Sequence, residues 1–123
     1  MDWILPVIIV AVIGGFLFLR MRGGVSTDDA RRHLREGALL VDVRSPGEFA
    51  AGCVTGAINV PLSDLPDAMA THCPDKQHVL LLHCASGGRS GMAAVKLRSA
   101  GYAHVFNVGS YGAAEKLAGE AAR

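Results

Sequence analysis

Cysteine is scarce in this sequence, and the few that are present argue against a disulfide-built fold, with a Cys53–Cys73 bridge as the alternative. There are three cysteines, Cys53, Cys73 and Cys84. An odd number in a chain of 123 residues argues against a disulfide framework and fits a reducing compartment that keeps a working thiol. The Cys-x-x-Cys spacing of zinc sites is also missing, and His83 and Cys84 would point to opposite faces of a strand. We therefore expect neither a metal nor another cofactor.

An excess of one charge is lacking as well. The chain has 12 basic and 11 acidic residues, for a formal net charge of +1. A nucleic-acid surface needs clustered Lys and Arg, so we expect no nucleic-acid partner. Internal repeats and low-complexity segments are not visible, and the length leaves room for one domain.

The first residues carry a long apolar run. Residues 3–19 read WILPVIIVAVIGGFLFL, without a charge, and would form about 25 Å of helix. Trp3 stands at one end, and Arg20 and Arg22 follow the other, as interfacial anchors and a cytoplasmic flank would. This pattern predicts a single transmembrane anchor over residues 1–22, in the inner (cytoplasmic) membrane, with the C-terminal domain in the cytoplasm. A cleaved signal peptide lacks its basic leader and cleavage site here, and a buried core helix lacks its polar face.

The rest of the chain alternates between predicted helices and strands. Gly23 and Gly24 are expected to form a hinge after the anchor. The pattern predicts helices over 26–36, from Pro46, over 63–71 with an interruption or a new cap at Pro66, from after Ser90 to about 100, and over 110–117. It predicts strands over 38–43, 57–60, 79–82 and 105–108. Such alternation indicates an α/β fold with a mainly parallel sheet flanked by helices, and the most apolar strand, 79–82, should be central.

The stretch after that strand carries the chemistry. Cys84 is followed by Ala85-Ser86-Gly87-Gly88-Arg89-Ser90 and then by a helix. A glycine-bearing loop before a helix can turn its backbone N–H groups inward and bind an anion. With the cation of Arg89, this environment favours thiolate over thiol at Cys84. A buried structural cysteine is the alternative.

Four stretches in this order resemble one known family. They are VDVRSPGEF at 41–49, GCVTGAINVPL at 52–62, the Cys84 loop, and GYAHVFNVGS at 101–110. Together they resemble the rhodanese family over most of the chain after the apolar run. The resemblance implies a rhodanese-like domain over residues 25–119.

The resemblance also implies an activity, that of a thiosulfate or sulfane sulfurtransferase. Cys84 would take a sulfane sulfur from a small donor, hold it as a persulfide, and pass it to a thiol or cyanide acceptor. Asp42, Arg44 and Glu48 match family positions that support the loop, and a plain salt-bridge network is the alternative for these three. The residues expected to bind substrate and persulfide are Ala85, Ser86, Gly87, Gly88, Arg89 and Ser90. Many sulfurtransferases have arginine where this chain has Ala85, so weak use of thiosulfate is expected.

Two other functions remain open at this stage. A phosphatase or another small-anion enzyme of similar fold would need five residues between its cysteine and arginine, and only four separate Cys84 from Arg89. A membrane-tethered sulfur-relay or partner-binding module with little turnover is the second alternative, with a protein acceptor or a membrane partner reached through residues 3–19.

Overall fold

A computed structural model of the chain describes residues 2–21 and 25–123. Helices and strands alternate along it, with one short 3₁₀ turn at Leu62–Asp64. The elements are α1 (Ile4–Met21), α2 (Thr27–Arg35), β1 (Leu39–Asp42), α3 (Pro46–Ala51), β2 (Ile58–Asn59), α4 (Met69–His72), β3 (Leu80–His83), α5 (Gly88–Ser99), β4 (Val105–Gly109) and α6 (Tyr111–Ala121).

The four strands form one parallel sheet in the order β2-β1-β3-β4. β1 and β3 lie inside it, and Asp42 pairs with His83 at their carboxyl ends. The parallel α/β fold and the interior place of the most apolar strand, both predicted from sequence, are confirmed. Because all four strands are parallel, the loops that follow them open on the same edge of the sheet.

Side chains of β3 alternate between two apolar clusters, one on each face of the sheet. Leu80, Leu82 and Cys84 belong to the larger cluster, with α4 and α5. Leu81 packs on the other face with residues of α2 and α6. In a strand, the side chains of adjacent residues point to opposite faces of the sheet. His83 and Cys84 consequently lie on opposite sides of the sheet.

Local sequence signals account for most helix starts. Ser26 and Ser110 each accept a backbone N–H bond as the N-cap of the following helix, and Ser45 forms a reciprocal capping box with Glu48. The segment predicted as helical over 63–71, with an interruption or a new cap at Pro66, is divided there, because proline cannot donate a helical hydrogen bond. Two boundaries differ from expectation. The helix after the Cys84 loop, α5, begins at Gly88 instead of after Ser90. The last helix continues beyond 117 to Ala121.

The membrane prediction is wrong. None of the helices in the described ranges 2–21 and 25–123 is long and apolar enough to cross a membrane. The apolar run does form a helix, α1, of 18 residues. The anchor, the membrane contact of residues 3–19 and the inner-membrane location are therefore withdrawn. Arg22 and the predicted hinge at Gly23 and Gly24 lie outside the described residues.

Candidate functional site

Cys84 lies directly after β3, with its side chain buried between the sheet and the start of α5. Its sulfur is the centre of a small group of donors. The Gly87 N–H donates to Sγ at 2.9 Å, and the Ser90 hydroxyl lies 3.4 Å from the same atom. The chain thus turns back on the sulfur within six residues.

These donors decide the ionisation of the thiol. Burial acts to raise the pKa of Cys84, because the charged form loses hydration. Hydrogen bonds from the Ser90 hydroxyl and from the N–H groups of Ser90, Gly87 and Ser86 act in the opposite direction and outweigh burial. The pKa of Cys84 is therefore lowered, and the thiolate is favoured without a direct cation on sulfur.

The curl of the loop depends on Gly87. Its φ angle of +104° lies in the left-handed region that side chains disfavour. A Cβ at this position would also lie 3.4 Å from the Gly109 Cα. Glycine therefore lets the Gly87 N–H point at Sγ while its backbone passes close to the end of β4.

The turn between β4 and α6 holds the loop from its other side. The Gly109 carbonyl accepts the Cys84 N–H at 3.1 Å, and the Ala85 carbonyl accepts the Tyr111 N–H at 3.2 Å. Ser86 forms an isolated antiparallel bridge with Ser110. Three consecutive loop residues, 84–86, are thus joined to a segment more than twenty residues away in sequence. Sequence reasoning missed these partners, although NVGS before a helix marked a turn.

Arg89 bonds to an acid outside the loop. Its Nη1 lies 2.6 Å from Glu48 Oε1, and its Nη2 lies 3.0 Å from Oε2. The Arg89 pair, together with hydrogen bonds from the backbone and side chain of Ser45, holds the pKa of Glu48 at about 2. The pair fixes Arg89 at the start of α5, against α3. Arg89 therefore acts on the Cys84 sulfur by a Coulombic interaction and not by a hydrogen bond.

Asp42 and Arg44 lie behind the loop instead of in it. The buried Asp42 carboxylate accepts from the Arg44 backbone N–H, Nε and Nη2 at 2.7–3.0 Å. Arg44 Nη2 also donates to the Gly52 carbonyl at 2.7 Å, and its Cζ lies 4.8 Å from the Tyr111 ring centre. This pair ties β1 to the end of α3 and to α6, so it supports the edge of the sheet from which the loop emerges.

His83 is another buried polar residue next to the loop, and the sequence did not predict it as part of the site. Its Nδ1 lies 3.3 Å from the Cys84 carbonyl oxygen, and its Nε2 is 3.9 Å from Asp42 Oδ2 without a hydrogen-bond partner in the described chain. Burial lowers the pKa of His83 despite the neighbouring carboxylate. The lowered pKa favours the neutral imidazole of His83. The ring packs edge-on against Tyr111.

Asn107 on β4 is the other residue that the sequence did not point to. Its Oδ1 lies 2.7 Å from the Ser90 hydroxyl, and its Nδ2 donates to the Gly87 carbonyl at 3.1 Å. Both partners are loop residues that bond to the Cys84 sulfur. An asparagine in a strand carries no local sign of such a role, because the contact exists only after the strand packs beside the loop.

The outer part of the loop is open to solvent. Ala85, Ser86 and Gly88 are exposed, while Cys84 and Ser90 are buried. No group of three or more metal-binding side chains comes together in the ranges 2–21 and 25–123. The arrangement offers a small anion a row of N–H donors around an ionisable thiol, with an accessible rim.

An α/β domain whose strand-end cysteine is enclosed by a glycine-bearing loop and a helix start belongs to a class that includes sulfurtransferases and phosphatases. Comparison with known proteins selects one family within it. Residues 26–113 match the rhodanese-like domain family, so this chain belongs to that family.

Individual relatives agree with this assignment. The thiosulfate sulfurtransferase PspE of Escherichia coli (strain K12) is 41% identical over 69 residues, covering 56% of this chain and 66% of PspE. The uncharacterized protein YqhL of Bacillus subtilis (strain 168) is 33% identical over 100 residues, covering 81% of this chain and 78% of YqhL. A solved structure described as a rhodanese with anions from E. coli is 36% identical, with a TM-score of 0.60, covering 63% of this chain and 91% of that one.

Proposed function

We propose that this protein is a sulfurtransferase that carries a sulfane sulfur as a persulfide on Cys84. The observation that supports this most directly is the set of hydrogen bonds to the Cys84 sulfur, which favours the thiolate. A thiolate is the form that attacks a sulfane sulfur. Membership of the rhodanese-like family and the sulfurtransferase activity named for PspE point to the same reaction class.

In the first half-reaction, the Cys84 thiolate attacks the outer sulfur of a donor. A new S–S bond forms, and the bond between the sulfane sulfur and the rest of the donor breaks, with its electron pair leaving on that group. For thiosulfate the leaving group is sulfite. The outer sulfur of the persulfide carries the negative charge, for which the loop N–H groups of residues 85–89 are the natural donors.

In the second half-reaction, a thiolate or cyanide attacks the outer sulfur. The S–S bond to Cys84 breaks, its electron pair returns to Sγ, and the product leaves as a new persulfide or as thiocyanate. The donors around Sγ stabilise the same charge at the end of the cycle as at its beginning. Hence no metal or organic cofactor is required by either step.

Anion handling of the phosphatase type is the weaker candidate. The loop has four residues between Cys84 and Arg89, and both bonded Nη atoms of Arg89 are held by Glu48. A phosphatase arginine instead needs its guanidinium free for the phosphate oxygens. The short loop and the engaged arginine favour a single sulfur atom.

Cyanide-dependent sulfur transfer in three single variants tests the assignment of the nucleophile. Cys84→Ser should abolish transfer, whereas Cys53→Ser and Cys73→Ser should retain most of it, because Cys53 is exposed and Cys73 is buried beside Asp75. Near-normal turnover in Cys84→Ser would show that another residue carries the sulfur.

A further inference from the structure

The Ser90 hydroxyl has one proton and three acceptors within reach. Its Oγ lies 2.7 Å from Asn107 Oδ1, 3.1 Å from the Gly87 carbonyl oxygen and 3.4 Å from Cys84 Sγ. The Ser90 side chain is buried, so bulk water is not an alternative partner. A hydroxyl donates to one acceptor at a time, so the acceptor that takes the proton determines whether Cys84 Sγ receives a hydrogen bond from Ser90.

The Gly87 carbonyl is already occupied. It accepts the Gly91 N–H at 3.0 Å and the Asn107 Nδ2–H at 3.1 Å. A carbonyl oxygen has two lone pairs, so these two donors fill it. The Ser90 proton is left with Asn107 Oδ1 and Cys84 Sγ.

The same carbonyl fixes which way the Asn107 amide faces. A flipped amide would set Oδ1 against the Gly87 oxygen, placing two acceptors together without a proton between them. Nδ2 must therefore face Gly87, and Oδ1 must face Ser90 at an ordinary O–H···O distance. The asparagine is thus an oriented acceptor for the hydroxyl.

We propose that Asn107 is a positioning residue for sulfur transfer, whose Oδ1 holds the Ser90 proton while Cys84 Sγ is neutral and yields it when Sγ becomes anionic. This inference rests on the proposed function, since it assigns a role in the persulfide cycle. In the free thiolate the charge on Sγ attracts the hydroxyl, because charge-assisted hydrogen bonds are the stronger ones.

The proton turns twice in each cycle and never leaves Ser90. When the thiolate attacks the donor, Sγ becomes the neutral inner sulfur of the persulfide, a weak acceptor, and the O–H turns to Asn107 Oδ1. When the acceptor attacks the outer sulfur, the electron pair of the S–S bond returns to Sγ, and the O–H turns back. Asn107 keeps the hydroxyl aligned between these events, so reorientation costs little.

Apart from Cys84 itself, ionisable groups do not bond to Ser90 or Asn107 in the described part of the chain. Asn107 also donates to the Gly87 carbonyl, so its removal can reach the sulfur through the Ser90 hydroxyl or through Gly87, and a Ser90→Ala background separates the two routes. The charged or titratable groups packed around the loop are Glu48, Arg89, Asp42, Arg44, His83 and Tyr111. None of these side chains bonds to Asn107, so replacing Asn107 removes none of their hydrogen bonds.

The test is the pH profile of Cys84 alkylation by iodoacetamide, in unloaded protein carrying Cys53→Ser and Cys73→Ser so that one thiol remains. Asn107→Leu keeps the side-chain size and removes the nearest competing acceptor, at 2.7 Å from Ser90 Oγ. The Gly87 oxygen that it frees lies farther from Oγ, at 3.1 Å, so the alkylation midpoint should still fall. The rate below the midpoint should rise about threefold. In Asn107→Asp the carboxylate should retain the proton and the midpoint should rise.

Coupling to Ser90 separates positioning from a merely structural role. In a Ser90→Ala background, Asn107→Leu should leave the midpoint unchanged, and the Asn107→Asp shift should be smaller. Phe106→Leu, on the opposite face of the same strand, should not move the midpoint. The proposal is overturned if Asn107→Leu raises the midpoint, or if its effect persists without Ser90. Failure of the proposed function would appear separately, as absence of sulfur on Cys84 in the mass of donor-treated protein.

Discussion

At the scale of single residues, the Cys84 sulfur is surrounded by neutral donors. The Gly87 N–H and the Ser90 hydroxyl contact Sγ, whereas the cation of the loop, Arg89, is bonded to Glu48. Neutral donors stabilise a thiolate without neutralising it, so the sulfur keeps its charge for attack. The loop rim has no cation of its own at position 85, and this leaves a dianionic donor without a counter-charge at the entrance.

Position 85 therefore gives a prediction about donor choice. Ala85 is exposed at the loop rim, and Ala85→Arg would add a guanidinium there, with the backbone bond from Tyr111 retained. We expect kcat/KM for thiosulfate to rise several-fold, as about 1 kcal/mol of added attraction would give. Steady-state kinetics with thiosulfate and with a less charged persulfide donor measure the change.

The matched control is Ala85→Gln, which adds a long polar side chain without charge. It should leave kcat/KM for thiosulfate close to that of the parent, and the less charged donor should gain little in either variant. An Ala85→Arg protein with equal or lower thiosulfate activity would show that charge at this position does not set donor choice.

The Glu48–Arg89 pair predicts a pH dependence of stability. The pKa of Glu48 is lowered from 4.5 to about 2, first by the Arg89 hydrogen bonds. A lowered pKa in the folded state means that the pair stabilises fully above pH 4.5 and that this contribution is lost as pH falls toward 2. The urea midpoint of Glu48→Gln should thus lie below that of the parent at neutral pH, with the gap closing between those two pH values.

Urea unfolding across pH measures this gap. Glu115→Gln is the control, because Glu115 is exposed and has no ion pair in the described part of the chain. Its difference from the parent should be small and independent of pH. A Glu48→Gln gap that stayed constant down to pH 2 would mean that the pair does not lower the Glu48 pKa.

At the scale of elements, the loop is shaped by the strand–turn–helix units on either side of it. Gly87→Ala should cost about 1–2 kcal/mol of stability, because alanine disfavours the left-handed region. It should also slow Cys84 alkylation at neutral pH, since the Gly87 N–H is turned from Sγ. Chemical unfolding and alkylation rates measure both effects.

Gly88→Ala is the matched comparison for that loop. Gly88 begins α5, and a Cβ there would meet nothing within 4 Å. This variant should keep parental alkylation and be equally stable or slightly more stable, because alanine favours helix. Equal losses in the two variants would indicate that the positive φ angle of Gly87 is unimportant.

The sequence predicts elements that depend on local contacts better than those that depend on long-range packing. Ser26, Ser45 and Pro46 mark helix starts through contacts within three residues, so the starts of α2 and α3 were predictable. Asn107 was not, because its partners in the loop lie 17 and 20 residues earlier and meet it only through packing of β4 against β3. The interruption before α4 was predictable as well, because proline cannot donate a helical hydrogen bond and Pro66 divides the helical segment.

The support of the sheet edge was predictable only in part. The motif at 41–49 pointed to Asp42, Arg44 and Glu48 as neighbours of the loop, and Glu48 does bond to Arg89. Asp42 and Arg44 bond to each other behind the loop, and Arg44 also donates to the Gly52 carbonyl. The membrane anchor was the wrong prediction, because none of the helices in the described residues is long and apolar enough to cross a membrane.

At the scale of the whole molecule, the buried Asp42–Arg44 pair joins β1, the end of α3 and the face of Tyr111 on α6. Arg44→Met would leave the fully buried Asp42 carboxylate without its cation, at a cost of about 3–5 kcal/mol. Urea unfolding at neutral pH should show a corresponding fall in the midpoint.

A double variant separates an unpaired charge from lost packing. Asp42→Asn with Arg44→Met removes the stranded charge, and the asparagine oxygen can still accept the backbone N–H of residue 44. We expect it to recover part of the stability lost in the single variant. A single variant as stable as the parent would contradict the role of this pair in holding the sheet edge.

The central claim is that Cys84 carries the transferred sulfur, and intact-protein mass after exposure to a sulfane donor tests it most directly. The parent, Cys53→Ser and Cys73→Ser proteins should each gain the mass of one sulfur atom, which a reducing thiol or cyanide then removes. Cys84→Ser should gain none. A reversible gain of one sulfur in Cys84→Ser, or no gain in the parent, would contradict the account.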